Sequence, residues 1–273
     1  MSSSIKDRIL IMLELEQLTD CEFIFPEEED PEKGIIKAHK LILAFASPVF
    51  HSMFFTFGNE RDNKIEIPDC SAESFALFLK YVYLHELTLV SIYDATEVYK
   101  IAHKYEVLSL QKLCEEYIVE AMTPNEACSA MRFAKFIENE EIKKKSEQMI
   151  VENTVEVLNS QDFLETNVET VEFIVKCEKL KVEEIILFEA VEKYARSHKL
   201  ARHQMENVVQ NIRFLTMSKK EFNDRAMRSN LLTYMEKLAI LNNILSEYLP
   251  TYAYPEGLCQ SKVKRFNEKL IKK

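Results

Sequence analysis

The residues able to do chemistry are present but scattered. Six cysteines stand at positions 21, 70, 114, 128, 177 and 259, and no C-x-x-C occurs. A zinc site needs paired Cys or His ligands at short spacing. The nearest histidines, His198 and His203, do not share a helix face as residues i and i+4 would. No metal site and no cofactor is expected. A Cys–His nucleophile pair needs closeness in space rather than in sequence, yet no local signature marks one. Carboxylates are abundant, but Glu27–Asp30 and Glu138–Glu141 read as solvated acidic loops or faces, not as a tuned acid–base pair. The three glycines, Gly34, Gly58 and Gly257, are unclustered. That excludes a phosphate-cradling loop and a dinucleotide fingerprint. The expectation is a chain that is not an enzyme.

Composition points the same way. With 273 residues, 47% hydrophobic and 29% charged, the chain is expected to fold as a globular, soluble protein of about two domains. So few glycines favour helices over sandwiches and propellers. No run of 18 apolar residues occurs, so no membrane span is expected. Lys6, Asp7 and Arg8 follow Met1–Ile5 and the apolar stretch beyond is broken by Glu14 and Glu16, which is no secretory start. The thiols are accordingly read as reduced and mostly buried, and the location as cytoplasmic. Residues 1–122 carry 11 Lys and Arg against 22 Asp and Glu, and residues 123–273 carry 24 against 23, together the net −10. An acidic first half argues against direct nucleic-acid binding. Lys262, Lys264, Arg265, Lys269, Lys272 and Lys273 make the end basic. It reads as a solvated tail, the sharper alternative being a nuclear-import or acidic-partner segment.

The elements follow from capping signals and periodicity. A helix over 5–18 puts Ile5, Ile9, Met12 and Leu13 on one face, with Leu10, Ile11, Leu15 and Leu18 around the rest. A helix this apolar needs a cover, either its own domain or another chain. Cys21–Phe25, Ile35–Ala38 and Lys64–Pro68 read as strands, and Leu87 and Leu89 as a further short one. Residues 39–57 read as helical, with Pro48 after Ser47 at a helix start. Asp69 or Ser71 caps a helix with the stripe Phe75, Phe78, Leu79 and Val82. Residues 92–105 and a stripe over Leu110, Leu113, Cys114, Tyr117, Ile118 and Ala121 add two more helices. From Thr123 on, strands stop. Capping boxes are expected at Thr123–Glu126, Thr166–Glu169 and Ser218–Glu221. Stripes recur at Ala127, Ala130, Met131 and Ala134, at Leu187, Ala190, Val191 and Tyr194, and at Tyr234, Leu238, Leu241 and Leu245. The second part is an all-helical array, with a further boundary near Pro250.

Three stretches carry a family resemblance: DCEFIF (20–25), KAHKLILAFASPVFHSMFF (37–55) and KIEIPDCSAESFALFLKYVY (64–83). Together they resemble the BTB/POZ domain over about 19–122. SQDFLETNVETVEFIVKCEKLKVEEIILFEAVEKYA (160–195) and NIRFLTMSKKEF (211–222) resemble the BACK domain. The N-terminal helix and the Tyr83–Glu86 region look most like the BTBD group of cullin-3 adaptors. In that group a glycine-rich PHR domain often follows, and here only SKVKRFNEK (261–269) has any echo of it.

The resemblance implies an α+β fold: a dimerisation helix (1–18), a BTB/POZ domain with a small sheet covered by helices (19–122), an all-α BACK domain (123–249) and a basic tail (250–273). It implies homodimerisation, with Ile5, Ile9, Met12, Leu13, Asp20, His39 and Leu41 as interface candidates. Asp20, His39 and Lys40 form either a buried charged cluster there or an ordinary helix start. It also implies a non-enzymatic adaptor or scaffold that binds cullin-3 of a RING ubiquitin ligase, with Met53, Phe54, Phe57 and Glu60 as candidates. Aligning Met53-Phe54 places Glu60 at the family's glutamate but Gly58 where an apolar side chain belongs, a loss of about 1.5–3 kcal/mol. Phe57 either substitutes for it or is core. The alternatives are a dimerising module without cullin contact, pairing with longer BTB proteins, and a transcriptional co-regulator with a nuclear pool.

Overall fold

Alternation builds the sheet. In Cys21–Ile24 (β1), Cys21 and Phe23 turn inward, and Phe25 continues the buried set. β1 pairs antiparallel with Ile35–Ala38 (β2), from Cys21↔Ala38 to Ile24↔Ile35. It pairs parallel with Lys64–Glu66 (β3) on its other side. The computed structural model describes residues 5–26, 34–56, 63–245 and 254–265. Glu27–Asp30, Phe57, Gly58, Glu60 and the boundary near Pro250 lie outside the described residues.

Helices Ile5–Glu14 (α1), Lys40–Ala46 (α2), Pro48–His51 (α3), Ala72–Leu84 (α4), Ile92–Lys104 (α5) and Leu108–Ala121 (α6) complete the first unit, Met1–Ala121. Their starts follow local chemistry. The side chains of Ser47, Ser71 and Ser91 accept the N–H groups of Phe50, Ser74 and Asp94, and Pro48 takes the first position of α3. An aromatic cluster forms the core. Phe50 stacks on Tyr105 at 4.0 Å between centroids, and Phe23 lies 4.7 Å from Phe75.

Two expectations fail here. The first helix ends at Glu14, not Leu18. Glu16 and Leu18 adopt left-handed φ of 50° and 63°, and the N–H groups of Glu16 and Gln17 return to the carbonyls of Leu13 and Met12. That is a Schellman stop with glutamate where glycine is usual. Leu87 and Leu89 form no strand. Both edges of β1 are already taken, and the N–H of Val90 goes to the Asp94 carboxylate instead of a ladder. Within the α6 stripe, Leu110, Cys114 and Ile118 are buried but Leu113 is exposed.

The second unit, Met122–Lys273, has only helices as regular elements among its described residues, and 254–265 follow as an irregular segment. It contains Ala127–Phe136 (α7), Glu140–Glu152 (α8), Thr154–Asn159 (α9), Gln161–Glu165 (α10), Val168–Lys176 (α11), Glu184–Ser197 (α12), Glu206–Gln210 (α13), Lys219–Asp224 (α14) and Tyr234–Leu245 (α15). Phe163, Phe188, Phe214 and Phe222 anchor its core. Capping was legible at one of three expected boxes. Ser218 and Glu221 form theirs. Thr123 instead donates its hydroxyl to Glu126 at 2.7 Å, ahead of a short 3-10 turn at Pro124–Glu126. α7 is capped from a distance: the Asp162 carboxylate accepts the N–H of Cys128 at 2.8 Å and of Ser129 at 3.1 Å, and the Ser129 hydroxyl. Asn167, not Thr166, caps α11 by accepting the N–H of Thr170. The α15 stripe also differs: Ile240 and Asn243 are its buried residues, while Tyr234 and Leu245 are exposed.

The solvated-tail reading is corrected within 254–265. Lys262 and Lys264 are exposed, but Leu258 is buried in the helical core and the Arg265 side chain is buried against Glu184.

Candidate interaction surface

The surface begins with an apolar helix that directly follows β2 in the chain. α2 buries Leu43 and Ala44, which turns Leu41 and Phe45, four residues apart, outward. Leu41 is 74% exposed and Phe45 96%. With Ile42, Ala46, Tyr81, Val82 and Val107 they line a half-open groove of about 580 Å³. Phe45 was not singled out from the sequence, although the i, i+4 spacing from Leu41 could have flagged it.

α1 lies against α4 in the same unit. Lys6 reaches Glu86 at 3.5 Å. Ile9, Met12 and Leu13 are half-buried, whereas Ile11, Leu15 and Leu18 are exposed. The side chain of Ile5 lies outside the described residues.

His39 joins these elements. It is the buried member of the Asp20–His39–Lys40 trio; Asp20 is exposed and Lys40 half-buried. Its Nε2 lies 2.7 Å from the Gln17 carbonyl, which can only accept, so Nε2 carries the proton. Nδ1 then accepts from the Tyr83 hydroxyl at 2.8 Å, and that same oxygen accepts the His39 backbone N–H at 2.9 Å. Burial pushes the Tyr83 phenol well above its ordinary value. The trio is therefore no buried charged cluster. Asp20 has a task within the chain, accepting the Lys40 N–H at 2.7 Å at the start of α2. Lys40 Nζ donates to Asn63 Oδ1 at 2.8 Å and lies 5.6 Å from the centre of the Phe54 ring.

Of the cullin candidates, Met53 is half-buried and Phe54 is buried, stacked on Phe50 at 5.7 Å, in a π-helical turn at Ser52–Thr56. The neighbouring Phe55 presents its ring to solvent. Phe57 and Glu60 lie outside the described residues.

Chemically, at least four of the six thiols are passive. Burial pushes Cys21 and Cys114 up to about 12, and Cys70 and Cys177 up to about 11. Such groups are neutral thiols near pH 7 and poor nucleophiles. Among the described residues no group of three His, Cys, Asp or Glu is placed to hold a metal, and no helix is long and apolar enough to cross a membrane. What the arrangement offers is apolar surface on a rigid helix, suited to another protein.

A three-stranded sheet under helices, an outward apolar helix face and a following helical array define a protein-interaction module. Residues 12–121 match the BTB/POZ domain family, and residues 127–227 match the family described as BTB And C-terminal Kelch (BACK). The chain belongs to the BTB/POZ–BACK proteins. It is 27% identical to BTB/POZ domain-containing protein 6 of Homo sapiens over 96% of this chain and 51% of that protein. Identity to BTB/POZ domain-containing protein 6-A of Danio rerio is 28% with the same coverage. Identity to BTB/POZ domain-containing protein 3 of Mus musculus is 26%, over 85% of this chain and 45% of the relative. The chain thus spans about half the length of the relatives it matches. The family supports a protein-interaction or adaptor role.

Proposed function

We propose that the chain is a non-enzymatic, homodimeric adaptor that links substrates to a cullin-3 RING ubiquitin ligase in the cytoplasm. The observation that carries the dimer is the apolar face of α2. Leu41 and Phe45 stand in solvent beside the half-open groove, and a two-fold copy would cover both faces at once. Exposed Ile11, Leu15 and Leu18 extend that demand for cover. Pairing would present two ligase arms on one particle and raise their effective concentration. The ligase role rests on Glu60 at the family's glutamate, with Phe55, five residues earlier in the sequence, as an exposed ring. Light scattering should give twice 32.0 kDa, the mass of one chain. Cullin-3 should co-purify with the wild-type chain and be lost on Glu60→Lys; no capture at micromolar levels refutes the ligase role and leaves the dimer standing.

Gly58 favours a second reading. A glycine has no side chain to fill an apolar pocket, so the chain would dimerise, with itself or with longer BTB proteins, without holding cullin. A dimer that fails to capture cullin-3 selects this reading.

A further inference from the structure

We propose that the second unit contains an arginine-recognition pocket, built from Glu184 and the carbonyls of Cys177 and Asn211, whose cis occupant is Arg265 and which accepts the arginine of an extended peptide in trans.

The pocket is made by three helix ends. Glu184 opens α12, while Cys177 and Asn211 stand just past α11 and α13 and turn their carbonyls inward. Arg265 fills it. Its Nε donates to Glu184 Oε2 at 3.0 Å, Nη1 to the Cys177 carbonyl at 2.7 Å and Nη2 to the Asn211 carbonyl at 2.6 Å. The two charged side chains are 2% and 4% exposed. Glu184 Oε1 also accepts the Arg213 N–H at 2.7 Å, which fixes the carboxylate from the other side. One nitrogen bonds each of three separate acceptors, so the pocket reads the planar fork of a guanidinium. A lysine ammonium, a compact point of charge, cannot reach all three.

The occupant is held in a way that allows exchange. The segment 254–265 fully buries two anchors, the side chains of Leu258 and Arg265, and packs Tyr254 part-buried against the same core, its hydroxyl donating to the Cys259 carbonyl at 3.3 Å; Glu256, Lys262, Val263 and Lys264 are exposed. Between the anchors lie two further bonds, Cys259 N–H to the Gln210 carbonyl at 2.9 Å and Arg213 Nη1 to the Val263 carbonyl at 3.1 Å. Peeling the segment away returns Glu184 and Arg265 to water together. The solvation lost on burying them is then recovered, and no charge is stranded. A ligand with the same two anchors could take the place vacated.

The test uses the full chain carrying Leu258→Ala and Arg265→Ala, and a fluorescent peptide of residues 254–265. Anisotropy should show saturable binding to this variant and binding at least about tenfold weaker to the wild type, whose own segment competes. A peptide with Arg265→Lys should bind at least about tenfold more weakly, the value of a charged hydrogen bond. Adding Glu184→Gln to the variant should remove binding. A folded variant that ignores the peptide, or one that takes the lysine peptide equally well, overturns the proposal. Hydrogen exchange on the unaltered chain decides independently of whether the variant folds. The Cys259 amide should exchange faster than core amides of α12, and faster still with excess peptide. Exchange as slow as α12 would mark Arg265 as a permanent structural ion pair and end the proposal.

Discussion

The two units differ in the polar groups they bury. The first leaves large apolar groups, Leu41, Phe45 and Leu18 among them, in water, and buries a polar network without a carboxylate: His39, Tyr83 and the Gln17 carbonyl. The second covers its apolar core with its own polypeptide and buries a full ion pair, Arg265 with Glu184. Apolar exposure costs solvation that a partner can relieve, whereas a buried charge demands a counter-charge already in place. Both units leave large apolar side chains exposed, Phe136, Tyr234 and Met235 in the second, so the difference that remains among the described residues is the buried charge, which only the second unit holds with its counter-charge from a distant segment.

Substitutions can break or sharpen that contrast. The largest effect should come from Phe50→Ala, which removes the ring stacked on Tyr105 and should cost about 3–5 kcal/mol in denaturant unfolding of the first unit. Next, Tyr83→Phe strips the hydroxyl that both accepts the His39 N–H and donates to its ring. A buried N–H left unmet should cost about 1–3 kcal/mol, and a freer His39 ring, whose Nε2 bonds the Gln17 carbonyl, should speed amide exchange beyond the end of α1. A neutral result would mean the network is ornamental. Glu106→Gly should work in the other direction. Glu106 holds φ at 56° just after α5, where a left-handed side chain costs roughly 1–2 kcal/mol, so glycine should raise stability by about 1 kcal/mol after its own entropy is counted.

A smaller, pH-linked effect belongs to Glu221. The Ser218 N–H holds its carboxyl below the ordinary 4.5, so its contribution is fully present above that value and lost as pH falls through the lower folded value. Glu221→Gln, which cannot titrate, should narrow the stability gap between pH 6 and acid; an unchanged pH profile would refute this. Smallest in stability, yet most telling for the comparison, is Phe45→Asp. An exposed side chain should change folding by no more than about 0.5 kcal/mol, while self-association by light scattering should disappear. If Phe45→Asp instead unfolds the first unit, α2 is core and not a docking face.

Much of the fold was legible residue by residue. Ser47-Pro48, Ser71 and Ser91 marked helix starts, and the inward alternation of Cys21, Phe23 and Phe25 marked β1. The candidate surface was legible only in part. Leu41 follows from the family resemblance, whereas Phe45, one helical turn on, follows from the burial of Leu43 and Ala44 on the other side of α2. Asp20 and His39, named as interface candidates, also bond within their own chain, which the sequence does not show.

Amino-acid order alone determined what acts over a few residues: serine caps, proline at first turns, the period of the strand and of most helices, and the kinship to BTB/POZ–BACK proteins. Tertiary structure decided what depends on distant meetings. Asp162 caps α7, Glu106 and Glu16 end helices without glycine, and Arg265 leaves the solvent for Glu184. The physical reason is range. A capping bond spans three residues and is specified by its neighbours, whereas a carboxylate finds a guanidinium or a helix end across the chain only after the core has folded to bring them together.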